Sequence, residues 1–357
     1  MTVQEQELDQ AAIEAFTGQL VTTFVNATTT AMISLGHRVG LFEAAALGPA
    51  TSAELAERAS VDERYVREWL GAVTSAGIFR YDSSTSVYEL PAEHAVLLTG
   101  ETSANLAGEA VLVSYLNRFV EPVADAFRAG GGVPYDAYRP EFTSIMDSLN
   151  RRIYDEALVD VYIPMADGLR ERLVAGARAA DFGTGAGHPL NLLAQAFPAS
   201  TFVGYDIAAD AIAAASAEAA AYGIANVTFE QRDVAAVDDV AVFDAVFAFD
   251  AIHDQADPGG VLRNIRRSLK DDGVFVMVDI KASSHLEENC ANPIAPLLYG
   301  VSVLHCMTVS LAYGGAGLGT AWGEQLACSM LRDAGFSSIE VNEIPQDPFN
   351  LVYVCRP

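Results

Sequence analysis

Arg178-Ala-Ala-Asp-Phe-Gly-Thr-Gly-Ala-Gly-His188 is the stretch on which the reading of this chain turns. A run of small residues ends at Asp181, alternate glycines follow, and Pro189 opens an apolar segment through Phe197. That order predicts a strand, a tight turn and a helix. Gly183, Gly185 and Gly187 allow a sharp backbone turn and let a ligand approach main-chain N–H groups. Asp181 before the loop and Asp206 at the end of the next predicted strand suggest an adenosine ligand held by carboxylates.

Several adenosine ligands use such a loop. The dinucleotide fingerprint G-x-G-x-x-G/A needs a small sixth residue so that helix and strand pack closely. Counting from Gly183, His188 stands sixth and is too bulky for that role. A phosphate loop needs Gly-Lys-Ser/Thr, and the chain has none here.

Downstream, strand and helix patterns alternate. Strands are predicted at Thr201–Asp206, Val227–Gln231, Phe243–Phe249 and Val274–Asp279, with helices at Ala208–Tyr222 and Gly260–Leu269. A helix near Trp322–Ala334 and two strands, Ile339–Glu343 and Leu351–Val354, close the chain. This alternation predicts an α/β domain with a parallel sheet, whose ligand lies at the carboxyl ends of the strands.

Asp181-x-Gly-x-Gly-x-Gly187 resembles the first motif of class I S-adenosylmethionine-dependent methyltransferases. Gly204-Tyr205-Asp206 is similar to their second-strand motif, whose acid takes the ribose hydroxyls; Arg232-Asp233-Val234 is similar to the third, whose carboxylate meets the adenine amino group. Phe249–Asp254 falls where the fourth strand lines the methyl-donor site. The resemblance implies a Rossmann-like sheet with an antiparallel last strand and S-adenosyl-L-methionine as cofactor. It assigns cofactor contacts to Asp181, Gly183, Thr184, Gly185, Gly187, Asp206, Ile207, Asp233, Val234, Phe249 and Asp250.

Ala251-Ile-His-Asp-Gln-Ala-Asp257 resembles the His-Asp-Trp-Ser-Asp segment of small-molecule O-methyltransferases of the caffeic-acid type, in which that His is the general base. His253 is therefore the catalytic candidate. A base with a pKa of about 6.5 would assist a phenol whose pKa is about 10. The alternative is a loop imidazole that caps the next helix. Gln255 stands where the family has Trp. The same scaffold permits transfer to N, S or C, because catalysis there is largely positioning. His285, His305, Cys306, Tyr299 and Trp322 are candidates for an acceptor pocket, and Gly314–Gly319 for a hinge.

The N-terminal part follows a different plan. Ile13, Phe16, Leu20, Phe24, Ala27 and Ala31 make one long apolar helical face. Thr51-x-x-Glu54 and Ser60-x-x-Glu63 read as capping boxes opening two helices, the second ended by Gly77. Ile78–Tyr81 and Val87–Leu90 read as a two-stranded wing, which completes a winged-helix plan. The family resemblance implies a dimerisation domain at this place. The other use of a winged helix, in a regulator that senses the cofactor and binds DNA, needs an excess of Lys and Arg on the recognition helix. Between Val61 and Ala76, Asp62, Glu63 and Glu68 outnumber Arg64 and Arg67, giving 2 − 3 = −1.

The expected layout is a winged-helix-like dimerisation domain over 1–100, a helical connector over 101–165 and a methyltransferase domain over 166–357. Within the last, residues 281–321 are an insertion and candidate acceptor lid. The chain has 357 residues, enough for two domains. Its formal charge, 21 − 47 = −26, repels phosphate backbones and anionic lipid, so neither nucleic acid nor membrane is an expected partner. The stretches between Glu14 and Arg38 and between Glu288 and Glu324 carry no charge. Their polar residues and prolines favour helices buried in a core or dimer interface over membrane spans. Cys290, Cys306, Cys328 and Cys355 form no CxxC pair and no metal-ligand spacing, as in a reduced cytoplasmic chain with no metal. An acidic N-terminus without a basic run predicts no signal peptide. The expectation is a cytoplasmic homodimer acting on a small molecule.

Overall fold

The computed structural model describes residues 8–345 and 347–357, in two compact units divided between Ser114 and Tyr115. The segment expected as a connector is thus apportioned between the two. The signal-peptide reading rests largely on residues 1–7, outside the described residues.

The first unit starts with helix α1, Gln10–Arg38, capped by the Asp9 carboxylate accepting from the Ala11 and Ala12 amides. Helices α2 (Leu41–Ala46), α3 (Ser52–Ala59) and α4 (Glu63–Ser75) follow, then the wing strands β1 (Arg80–Asp82) and β2 (Val87–Glu89). The capping box at Thr51 and Glu54 forms reciprocally: the Thr51 amide donates to Glu54 Oε2 at 2.8 Å, and the Glu54 amide donates to Thr51 Oγ1 at 3.3 Å. The second expected box does not form. Ser60 takes a left-handed conformation that ends α3, and Asp62 caps α4 instead. One residue cannot both end a helix in the left-handed region and start the next with extended backbone.

Trp69 centres this core. It is buried, meets Phe42 and Phe79 edge-on, and donates its indole N–H to the Met32 carbonyl at 2.8 Å. Both arginines of α4 are engaged on their own helix, Arg64 with Glu68 and Arg67 with Glu63. No surplus of cations is left there for phosphates.

The uncharged part of α1 is not core. Ile13, Phe16, Leu20, Val21, Phe24 and Val25 are all exposed, Phe24 to 64%. Hydroxyls of Thr17, Thr22, Thr23, Thr28, Thr29 and Thr30 donate to carbonyls about one turn back, which leaves the helix surface short of free polar groups. Core burial is therefore corrected. An exposed apolar face of this kind marks an interaction surface.

The second unit is a seven-stranded sheet in the order β5-β4-β3-β6-β7-β9-β8. Its strands are β3 Arg178–Phe182, β4 Thr201–Asp206, β5 Val227–Gln231, β6 Phe243–Phe249, β7 Leu269–Ile280, β8 Ser338–Ile344 and β9 Asp347–Arg356. β3 through β7 pair in parallel, whereas β9 runs antiparallel between β7 and β8. The central strands are near-continuous apolar runs, as sheets covered on both faces require. Phe182, Phe243, Phe247 and Phe275 are wholly buried. Strand order reverses between β3 and β6, so the loops leaving these two strands diverge and open a crevice, the usual ligand position in open α/β sheets.

Among the described residues, one helical run, Ala295–Ala312, is long and apolar enough to cross a membrane by length and composition. Ser302, His305, Thr308 and Ser310 on it are buried against the protein. That is the pattern of a core helix.

Replacing Trp69 by Ala removes the shared partner of Phe42 and Phe79 and the indole hydrogen bond to the Met32 carbonyl. The expected loss is about 3–5 kcal/mol of stability, read by urea unfolding of the full chain.

Candidate active site

The glycine loop leaves β3 at the crevice. Gly183, Gly185 and Gly187 all have positive φ, which Asp or Ala would adopt only with strain. Gly183 is pressed against Ala251, and Gly187 against Ala215 and Phe229, so any side chain there would collide. At Gly185 a side chain would meet nothing within 4 Å. The loop is packed on its inner side and open at its middle. Asp206, at the end of β4, accepts from the Gly185 and Ala208 amides at 2.8 Å each, and so braces the loop.

Asp181 is buried beneath this loop. Burial, with the charge of Asp206 nearby, raises its carboxyl to about 7. Asp181 Oδ1 and Thr184 Oγ1 are buried without a partner, as is Asp250 Oδ1 across the crevice. Asp250 takes the left-handed conformation at the end of β6. Burial and the Asp279 charge push its carboxyl well above the usual range. Burial likewise raises Asp206, against the pull of its two amide donors. Orphaned acceptors and protonation-prone carboxylates beside an open glycine bend fit a ligand that is cationic and rich in donors.

The other expected contacts lie on neighbouring strand ends. Ile207 follows Asp206 and is exposed; Asp233 is exposed and caps the short turn Val234–Ala236, in which Val234 is buried. Phe249, at the end of β6, stacks on Phe247 and meets Tyr154 edge-on. These residues ring the carboxyl ends of β3, β4, β5 and β6.

His253 is only 3% exposed. Its Nδ1 lies 2.8 Å from Asp279 Oδ1, at the end of β7, while Nε2 faces Asp254 Oδ1 at 3.4 Å. Burial disfavours the imidazolium, but the Asp279 and Asp254 carboxylates outweigh it and hold the pKa well above the usual value. Asp279 Oδ1 also accepts from the Trp322 indole at 2.9 Å and from the Ile280 amide at 2.8 Å. His253 does not cap the following helix; Asp257 does, accepting from the Gly260 amide.

Sequence reading missed Asp279 and its partnership with Trp322. The signal was one carboxylate at the end of an otherwise apolar strand, Val274–Ile280. The acceptor candidates separate. His285 is exposed, and the Tyr299 hydroxyl is held by Asn289. Trp322 is drawn to Asp279, and Cys306 lies beside His253. His305 is buried, stacks on Phe142 at 3.7 Å between centroids, and has no partner at either ring nitrogen. Burial lowers its pKa to about 4. The Gly314–Gly319 stretch docks on the 252–257 segment: Ala316 donates to the Ala256 carbonyl, and Gly315 abuts Ala256. Gly315, Gly317 and Gly319 are closely packed, whereas Gly314 has open space around it and turns the chain at positive φ.

His188 also has work the sequence did not show. It lies between Glu218 and Asp155 at 2.9 Å each, so the residue that spoils a dinucleotide fingerprint ties three helices behind the loop.

Residues 27–100 match the Rv2258c-like winged helix-turn-helix domain, and residues 173–321 match a methyltransferase domain. No curated protein matches the chain. Solved structures share its fold across almost its whole length. The mitomycin 7-O-methyltransferase MmcR is 20% identical, with a TM-score of 0.72, over 98% of this chain and 100% of its own. Human N-acetylserotonin methyltransferase, solved with S-adenosylmethionine, is 16% identical, with a TM-score of 0.69, over 99% of each chain. The O-methyltransferase NcsB1 from neocarzinostatin biosynthesis was solved with S-adenosylmethionine and 2-hydroxy-5-methyl naphthoic acid. It is 16% identical, with a TM-score of 0.63, over 92% of this chain and 96% of its own.

The raised carboxyl of Asp181 has a consequence for stability. Its folded value, about 7, exceeds the ordinary 3.8, so the folded state binds the extra proton between these limits. Stability therefore falls as pH rises through that window, by up to about 1.4 kcal/mol per pH unit. Asp181→Asn should remove this slope, measured as the difference between variant and parent in urea unfolding at several pH values.

Proposed function

We propose that this chain, a class I S-adenosylmethionine-dependent methyltransferase with an N-terminal winged-helix domain, methylates an oxygen of a small molecule, with His253 deprotonating or orienting the acceptor. The observation that carries the reading is the His253–Asp279 pair at the crevice, with Nδ1 anchored on Asp279 and Nε2 turned toward Asp254, beside Cys306. The bound cofactor supplies an electrophilic methyl group on a sulfonium. A hydroxyl acceptor then needs a group that takes or holds its proton while its lone pair is aligned. An imidazole fixed by a buried carboxylate does this from its neutral form. Because the Asp279 and Asp254 charges hold the His253 pKa well above the usual value, that form gains population as pH rises.

The cofactor residues take roles consistent with their positions. Asp206 holds the ribose hydroxyls and Asp233 the adenine amino group, with Ile207 and Val234 flanking the base. Gly183, Thr184, Gly185 and Gly187 pass the methionine end, and Asp181, Phe249 and Asp250 line the methyl donor. The unpartnered oxygens of Asp181, Thr184 and Asp250 support this assignment. We divide the chain functionally into a dimerisation domain over 1–100, a connector over 101–165 and a methyltransferase domain over 166–357. Residues 281–321 then form the acceptor side of the site.

We place the protein in the cytoplasm as a homodimer joined through α1. The four cysteines are free, three of them buried, which suits a reducing compartment. Covering a large apolar side chain contributes roughly 1.5–3 kcal/mol, so the exposed stripe of α1 suits a second copy. Replacing Phe16 and Phe24 together by Glu should convert a dimer to a monomer in sedimentation. A parent that sediments as a monomer would overturn the assignment.

The activity test is a labelled-methyl assay across phenols, carboxylates, amines and thiols, with calorimetry of S-adenosylhomocysteine alongside. Turnover is expected with an oxygen acceptor; turnover confined to amines or thiols rejects O-methylation. His253→Ala should lower kcat by about 10²–10⁴-fold with little change in S-adenosylhomocysteine affinity. An unchanged kcat on a phenol would remove the base assignment.

A further inference from the structure

His253, Asp254 and Cys306 bring three metal-binding atoms to one place, all within 4.8 Å of one another. The sequence separates Cys306 from the pair by about fifty positions, so no ligand spacing announces the cluster. The helical run Ala295–Ala312 delivers Cys306 to the loop after β6.

The distances leave room for an ion between these groups. His253 Nε2 and Asp254 Oδ1 stand 3.4 Å apart, too far for a strong hydrogen bond. Two atoms each about 2.0–2.1 Å from a tetrahedral zinc are themselves about 3.3 Å apart. Asp254 Oδ1 is buried and has no hydrogen-bond partner. The surrounding groups fit as well. Asp279 holds His253 Nδ1 at 2.8 Å, which is the carboxylate–histidine support that orients a ligating imidazole. Thr320 Oγ1 donates to Cys306 Sγ at 3.2 Å and so orients the sulfur; burial and the Asp254 charge raise the thiol, so an ion binds there by displacing its proton. His305 Nδ1 lies 3.9 Å from Asp254 Oδ2, and neither of its ring nitrogens has a partner. The Asp254 side chain, 26% exposed, provides the way in.

We propose that His253 Nε2, Asp254 and Cys306 Sγ form a binding site for a borderline-soft divalent cation of the Zn(II) class. Imidazole and thiolate select against Mg(II) and Ca(II), and the fourth position falls to water. The site goes beyond the methyl transfer and does not rest on it. While the ion is bound, the Nε2 lone pair is engaged, so metal binding and use of His253 as a base exclude one another.

The test titrates Co(II) alone into the chelator-stripped full-length protein, with no acceptor or cofactor. One Co(II) per chain is expected, with a near-ultraviolet thiolate-to-cobalt charge-transfer band and the strong visible bands of four-coordinate cobalt, both displaced by Zn(II). Cys306→Ser should abolish the charge-transfer band, whereas Cys290→Ser, at an exposed thiol elsewhere, should keep it. Asp254→Asn should weaken Co(II) binding at least tenfold, and it tests the site should Cys306→Ser fail to fold. No charge-transfer band in the parent overturns the proposal. So does a band that survives in folded Cys306→Ser, or one as tightly bound in Asp254→Asn. None of these results depends on methyl transfer, so failure here leaves the O-methylation reading standing, and failure of that reading leaves this one.

Discussion

A carboxylate with no exposure at all, Asp279, is the constraint on which the site depends. Burying an ion is expensive unless hydrogen bonds replace its water. One oxygen of Asp279 meets His253, Trp322 and the Ile280 amide. Each donor comes from a different part of the second unit: the loop after β6, the far end of the insertion, and β7 itself. To hold that one oxygen, the fold must bring all three together, while Asp279 Oδ2 stays buried without a hydrogen-bond partner. Removing a donor would leave a buried charge undersolvated, so site and core stand or fall as one.

The same accounting explains the polarity of the crevice. Asp181, Asp206 and Asp250 are all pushed toward protonation by burial, and the oxygens left without partners belong mostly to these acids and their neighbours. Such a cleft repels anions and rewards cations or ligands with many donors. In the function we propose, a sulfonium nucleoside meets that demand. Around Cys306, where imidazole, carboxylate and thiol converge, the demand suits a metal ion better.

The first unit answers a different requirement. Its core is small and centred on Trp69, while one long helix leaves its apolar residues in solvent. The hydroxyls of its threonines are turned back onto the helix, so the surface they share with Phe16 and Phe24 presents methyl groups in place of donors. A face so treated is shaped for contact with another apolar surface.

Local rules carried much of this chain's description. Apolar runs and small-residue turns marked β4, β5 and β6 to the residue. β7 and β9 proved longer than their apolar cores, because polar residues at a strand end pair in the ladder without an apolar signal. The alternate glycines marked the loop, since only glycine takes its positive φ values without strain. The Thr51–Glu54 cap was legible for the same local reason; the second box failed because Ser60 was already committed to ending α3. Composition and order by themselves thus determined the fold class, the glycine loop and the position of His253. What faces His253 was decided by tertiary structure alone. Asp279, Trp322 and Cys306 meet it across separations in sequence that no period or spacing encodes. The exposure of α1 likewise depended on how much apolar surface the rest of its unit could cover, which is a property of packing and not of the helix.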